Sequence, residues 1–304
     1  MRNIIFLLCF SFANTLVGTA NLYAHDPKQK IPANKIFGNF AKPTDLVSEP
    51  IGSYARGCLN GGVALPYKGK NWQVMHPKRN RNWGHPYTIK FVKDLSKQAE
   101  AIGWKGLYIG DISQPRGGPM PYGHKSHQIG LDVDIWLTEP KDLNLTISEL
   151  KLLKKVSVRS KDLKTTNNNW TKKHMQILRA AATNESVDRV FITAPAKIWM
   201  CENAGVDREW LQKVRPIRGH NKHFHVRLNC PKDASSCVSQ KPTIKEISQS
   251  EDGCDHTLRW WVTTALEPYK KPTKPIKKIP KKKDALSFLI EDLPERCTSV
   301  IHIN

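Results

Sequence analysis

Apolar residues recur at helical spacing along residues 88–102: Ile89, Val92, Leu95, Ala99 and Ile102 share a face, and Gly103 follows in the position of a C-terminal cap. Gly106–Ile112 (GLYIGDI) reads as a strand. The next stretch, 113–130 (SQPRGGPMPYGHKSHQIG), contains four Gly and three Pro and predicts a loop. Beyond it Leu131–Trp136 (LDVDIW) alternates apolar with acidic residues, the mark of a half-buried strand. Trp170–Thr183 has a helical pattern through Met175, Leu178 and Ala182. Arg189–Thr193 reads as a short strand, Arg208–Val214 as a short helix, and His223–Leu228 (HFHVRL) as a second alternating strand. Residues 25–50 read as an irregular lead-in. Strands, helices and long loops mix without a regular βαβ rhythm, which predicts an α+β fold.

Composition narrows the class. With 304 residues, 39% of them hydrophobic, the chain can bury a real core, so whole-chain disorder is excluded. No run reaches the roughly 18 consecutive apolar residues of a spanning helix. The net charge of +21 favours anionic partners, yet it is unevenly placed: residues 267–283 (EPYKKPTKPIKKIPKKK) carry 8 Lys and one Glu. That stretch reads as a solvated, semi-rigid Lys/Pro linker, and its charge would also suit anionic envelope polymers. Nucleic acid is not an expected partner, because no nucleic-acid-binding motif accompanies the charge.

Residues 1–24 carry Arg2, an apolar stretch over Ile4–Phe12 and small residues towards Ala20 and Ala24. This predicts a secretory signal peptide cleaved after about Ala20 or Ala24, and hence export. Cys9 leaves with it. The six remaining cysteines, Cys58, Cys201, Cys230, Cys237, Cys254 and Cys297, then predict disulfides, with 15 connectivities open. Cys230 and Cys237 are spaced to close a small turn around PKDASS. Cys297, beyond the linker, would staple residues 284–304 back onto a domain spanning residues 25–266 if it pairs with a body cysteine.

The chemistry lies in two histidine groups, His124 and His127 before LDVDIW, and His220, His223 and His225 around HFHVRL. A period of two puts His223, His225 and Arg227 on one face of the second strand, and Asp132 and Asp134 on one face of the first. His127 precedes Asp134 by seven residues, roughly 23 Å if extended, so the chain must fold back near Gly130 to bring them together. Two imidazoles and a carboxylate leave a fourth tetrahedral position for water, which is the catalytic type of zinc site. Asp132 reads as a solvated or loop-capping carboxylate.

GGPMPYGHKSHQIGLDVDIW together with VRPIRGHNKHFHVRLNCP resembles the penicillin-insensitive murein endopeptidases, zinc peptidases of the lysostaphin/D-Ala-D-Ala metallopeptidase superfamily. The resemblance runs from about Ile51 to about Pro268, including GCLNGG around Cys58, and Cys297 also looks like a family cysteine. It implies a single domain with a central, mostly antiparallel sheet flanked by helices and long loops, hedgehog/DD-peptidase-like. It implies one catalytic zinc on His127, Asp134 and His225, with His220 and His223 as general base or transition-state stabilisers. It further implies the disulfides Cys58–Cys297, Cys201–Cys254 and Cys230–Cys237. Family members can hold a second metal through the His at the position of His124 and a later Asp-x-x-His. Here Asp162-Leu163-Lys164-Thr165 lacks that His, leaving His124 as a ligand to a second metal or a group supporting the site or its substrate.

For stabilising charge on the tetrahedral oxygen, Arg116 and Arg227 are the candidates, each with an alternative as a structural ion-pair partner. The implied substrate is peptidoglycan, cut at the D-alanyl to meso-diaminopimelate cross-link in the periplasm without a serine nucleophile. A DD-carboxypeptidase or LD-endopeptidase on the same scaffold, and a non-catalytic peptidoglycan-binding protein, are the alternatives. The intact set of His127, Asp134 and His225 argues against the last.

Overall fold

The computed structural model describes residues 31–249, 252–268 and 283–303. The expected signal peptide and nearly all of the Lys/Pro linker lie outside the described residues. Two strand pairs organise the rest. Glu49–Ser53 (β1) and Arg56–Asn60 (β2) form an antiparallel hairpin. The second pair is Asp132–Trp136 and His223–Leu228, at the centre of a seven-stranded sheet. The sheet contains Lys68–Gly69 (β3), Trp72–Val74 (β4), Leu107–Ile109 (β5), Asp132–Trp136 (β6), Val187–Ile192 (β7), Val214–Pro216 (β8) and His223–Leu228 (β9). Their order across it is β8-β7-β9-β6-β5-β4-β3. Only β8 with β7 and β4 with β5 run parallel, so the sheet is mostly antiparallel and the fold is α+β.

The register of β6 on β9 pairs Arg227 with Asp132, His225 with Asp134, and His223 with Trp136. Side chains of paired residues stand on the same face, so these three pairs form a polar ladder, while Val133, Ile135, Phe224 and Val226 enter the main core on the other. Every residue of β6 is buried, where alternation with acids predicted a half-buried strand. The difference arises because the face carrying Asp132 and Asp134 is covered by the 110–131 loop and by His225 and Arg227, which supply the polar partners water would otherwise provide.

The helix expected over 88–102 spans Pro86–Ala101. It starts earlier because His85 caps it, accepting the Tyr87 N–H on Nδ1 at 3.2 Å, and Pro86 suits the first turn. The helix expected over 170–183 spans Lys172–Thr183, starting after the cap Thr171. Both pack Val92, Leu95, Ile177 and Leu178 into the main core. The strand expected over 106–112 is reduced to Leu107–Ile109, and the helix expected over 208–214 is a 3-10 turn at Glu209–Lys213. The helices Ala33–Phe37, Ile147–Leu152, Ala194–Asn203 and Arg296–His302, and the β1–β2 hairpin, carried no periodic signal that singled them out.

Three disulfides, Cys58–Cys297, Cys201–Cys254 and Cys230–Cys237, are those the resemblance implies. The first ties the Arg296–His302 helix to β2 beside a small second core of Ala33, Phe37, Ile51, Leu293 and Val300.

Candidate metal centre

The loop that follows β5 brings the first histidine group back onto the sheet. Gly130 has φ +71°, and a Cβ there would stand 2.7 Å from Leu59 Cδ2 and 2.9 Å from the His85 nitrogen. Only glycine fits, and the expected reversal of the chain lies there. His127 itself adopts φ +66°, unusual for a residue with a side chain. Two bonds fix it: its N–H donates to Asp132 Oδ2 at 2.9 Å and its ring Nδ1 lies 2.7 Å from the Ile112 carbonyl.

That second bond determines the tautomer. A carbonyl only accepts, so His127 Nδ1 carries the proton and Nε2 presents a lone pair. On β9, His225 Nε2 lies 2.9 Å from Asp132 Oδ1, so its proton sits there and Nδ1 is bare. The two bare nitrogens face each other at 3.1 Å. Asp134 Oδ1 completes a triangle, 3.4 Å from His127 Nε2 and 3.2 Å from His225 Nδ1, and accepts no hydrogen bond among the described residues. Three lone-pair atoms thus converge in a site where His127, Asp134 and His225 are 0%, 3% and 4% exposed. Tetrahedral zinc with bonds of about 2.0–2.1 Å spans ligand–ligand edges of about 3.4 Å, so the residues present fit such an ion.

His124 adjoins this triangle. Its Nε2 lies 3.6 Å from Asp134 Oδ2 and 3.1 Å from Asp111 Oδ2, and ligand atoms of His124, His127 and Asp134 all fall within 4.8 Å of one another. A His–His–Asp metal-binding group is therefore present, with His127 and Asp134 common to both arrangements. His223 Nε2 lies 3.6 Å from Asp134 Oδ2, and the ring of His220 lies 4.6 Å from that of His223. His220 Nδ1 lies 2.9 Å from the Arg218 carbonyl, which leaves its Nε2 bare. Burial lowers the pKa of both, to about 4 for His223, so both imidazoles are neutral at pH 7.

The readings of Asp132 and Arg116 are corrected, and Arg227 takes its structural alternative. Asp132 is fully buried and not solvated, while the loop-capping half of its reading holds: it accepts the His127 N–H, orients His225 and accepts two bonds from Arg227, at 2.8 and 3.2 Å. Burial alone would push its carboxyl up, but Arg227 and His225 hold it well below the usual range. Arg227 is accordingly that carboxylate's counter-ion, with its guanidinium over the Tyr54 ring at 4.2 Å, and is not free to meet a developing oxyanion. Arg116 points away from the centre: it donates to the carbonyls of Lys42, Val300 and Ile303 and lies over the Phe40 ring at 4.1 Å. It braces the Arg296–His302 helix.

The site also contains a group that sequence reasoning missed. Asp111, 4% exposed, takes Arg79, Arg81 and His124 as partners at 3.1, 3.0 and 3.1 Å. Burial raises its pKa, but His124, Arg79 and Arg81 together bring it well below the ordinary value. A lone acid at the end of the apolar run GLYIGDI was the available signal; Arg79 and Arg81 carried none.

The sequence profile described as penicillin-insensitive murein endopeptidase matches residues 50–302. The chain is 42% identical over 219 residues to the penicillin-insensitive murein endopeptidase of Haemophilus influenzae, covering 71% of this chain and 74% of that protein. It is 37% identical over 267 residues to the protein of that name from Escherichia coli strain K12, covering 87% and 90%. The Shigella sonnei protein of the same name is 36% identical over 266 residues, with the same coverage. With the match spanning both histidine groups and all six cysteines of the three disulfides, the chain belongs to the penicillin-insensitive murein endopeptidase family.

Proposed function

We propose that the protein is a zinc-dependent endopeptidase that cleaves the D-alanyl to meso-diaminopimelyl cross-links of peptidoglycan in the periplasm, with His127, Asp134 and His225 as the zinc ligands. The observation that carries this reading is the convergence of His127 Nε2, His225 Nδ1 and Asp134 Oδ1 within 3.1–3.4 Å, with both imidazole protons committed on the far side. Among the described residues every cysteine, the usual source of thiolate ligands for structural zinc, is in a disulfide, and disulfides suit an oxidising compartment. His124, with Asp111 on its Nε2 side, supports the centre from the loop.

A zinc ion held there supplies Lewis acidity to the scissile carbonyl and acidifies water near neutral pH. The protein's own residues do the rest. Asp132 and the Ile112 carbonyl keep His225 and His127 in the tautomers that ligate. His223, neutral and 3.6 Å from Asp134, accepts the proton of the attacking water and returns it to the leaving amine, with His220 alongside to share that proton. No side-chain hydroxyl or thiol acts as nucleophile, which is the chemical ground for insensitivity to β-lactams.

Digestion of purified cross-linked sacculi by the mature protein, with and without chelator, tests the reading. Chelator-sensitive loss of dimeric muropeptides with matching growth of monomers is expected. Unchanged dimers with trimmed pentapeptides would replace it by carboxypeptidase action, and no change at all by binding without turnover.

A further inference from the structure

The polar ladder between β6 and β9 has three rungs. Arg227–Asp132 is a closed ion pair, His225–Asp134 is the metal rung, and His223–Trp136 lies one step further along. A step of two residues is roughly 7 Å along a strand, so the third rung stands about that far from the metal rung. Over it sits a cation: Lys155 Nζ lies 4.7 Å from the centre of the Trp136 ring.

The segment carrying Lys155 is fixed in place. The Val156 N–H donates to Thr138 Oγ1 at 3.0 Å, and the Val158 N–H to the Asn221 carbonyl at 2.9 Å. Both anchors belong to the chain just beyond β6 or just before β9. Lys155 therefore moves with the two strands that hold the metal ligands.

The cations around the centre differ in one respect. Arg79 and Arg81 both pair with Asp111, and Arg227 pairs with Asp132. Lys155, half-buried, forms no salt bridge with a carboxylate among the described residues. Its ammonium is held on an aromatic face by cation–π attraction, with Asp134 and Asp111 acting on it only from beyond ion-pair contact, so it is pre-positioned with room for a direct partner. An anion arriving beside the metal rung on the His223 side would find it ready.

We propose that Lys155, seated on Trp136, is the specificity-determining cation of a carboxylate subsite, and that it reads the free carboxylate borne by the carbon next to the leaving nitrogen of the scissile amide. This rests on the endopeptidase reading, which supplies a substrate with a carboxylate at that position. His223, on the same rung, is the group from which the leaving amine takes its proton, so anchoring the adjacent carboxylate on Lys155 also aligns that amine.

The test compares the zinc-loaded wild type with K155M, which keeps the stem over Trp136 but lacks the charge, and with K155R. Two readouts are taken, each with that carboxylate free or amidated. One is kcat/KM on the defined dimer; the other is calorimetric affinity for the diaminopimelate-bearing product muropeptide, which is not turned over. The wild type is expected to favour the free carboxylate by roughly ten- to a hundred-fold, as a charge-assisted contact implies. K155M should lose that preference with unchanged affinity for the amide, and K155R should retain most of it. Equal treatment of acid and amide by the wild type, or a preference undiminished in K155M, would overturn the subsite. Dimers left uncut while the product preference depends on Lys155 would overturn the endopeptidase reading and leave the subsite standing.

Discussion

Asp132 and Asp134 are two residues apart on one strand, share a face and are both buried, yet they do different work. Asp132 has a guanidinium for a counter-ion and a place behind His225; Asp134 has neither, and aims an unpaired oxygen at two bare imidazole nitrogens. Asp132→Asn is expected to weaken metal binding by roughly ten- to a hundred-fold. It should also destabilise the fold by about 3–5 kcal/mol, since Arg227 loses its buried partner. Asp134→Asn should abolish metal binding while leaving the metal-free protein at least as stable. Metal titration and urea unfolding of both variants check the contrast; similar stability loss in both would defeat it. Alternation alone cannot tell the two acids apart, because period two places them on the same face and only the partners across the ladder distinguish them.

Lys197 offers a second test at this scale, away from the metal. It is fully buried, donating to the carbonyls of Leu211 and Asp252 at 2.7 and 3.1 Å, and burial with nearby Arg215 lowers its pKa from 10.5 to about 7. Between those two values the unfolded chain binds a proton at this lysine that the folded chain does not, so its contribution to stability rises with pH across that window and is flat below it. Stability of the wild type relative to Lys197→Met, from urea unfolding at successive pH values, should therefore climb from about pH 7 towards 10.5. A constant difference would show that Lys197 is charged in the folded state.

At the scale of elements, legibility followed periodicity. The strand His223–Leu228 agrees with its alternation at both ends, and the Pro86–Ala101 and Lys172–Thr183 helices with theirs to within two residues at each end. What escaped were elements too short to show a period, such as β3 and β4, and the register that joins β6 to β9 across about ninety intervening residues. Histidine spacing marked the candidate site, whereas the Asp111–Arg79–Arg81 group depends on three segments meeting in space. The 113–130 loop was legible as irregular, and its turning point at Gly130 as well. Gly130→Ala forces a side chain into the left-handed region and against Leu59 and the His85 nitrogen. A loss of about 1–3 kcal/mol is expected, with bound metal falling below the wild-type content because His127 is displaced. Thermal unfolding and metal analysis measure both; unchanged metal content at reduced stability would show that the loop tolerates the change.

For the whole molecule, six cysteines pointed to disulfides, but only the resemblance selected among the pairings; distance along the chain says little about which of 15 forms. Cys58–Cys297 encloses a separation of 239 residues, the longest of the three. Cys58→Ser with Cys297→Ser is expected to reduce stability by about 2–5 kcal/mol, mainly by restoring freedom to the unfolded chain. Urea unfolding of the double variant is the measurement. A loss confined to the Arg296–His302 helix, with the main transition unmoved, would show that this helix unfolds independently of the sheet.

Arg116 stands eight residues before His124, yet two of the carbonyls that receive its guanidinium, Val300 and Ile303, follow it by 184 and 187 residues. The histidine loop is thus braced by a part of the chain synthesised long after it. A polypeptide emerging from its amino end can pair β1 with β2, build the sheet and hold His127 on Asp132 and the Ile112 carbonyl, but the Arg116 end of the loop gains its brace only when the Arg296–His302 segment has arrived. The last residues of the chain thus complete the bracing of the loop that carries its metal-binding histidines.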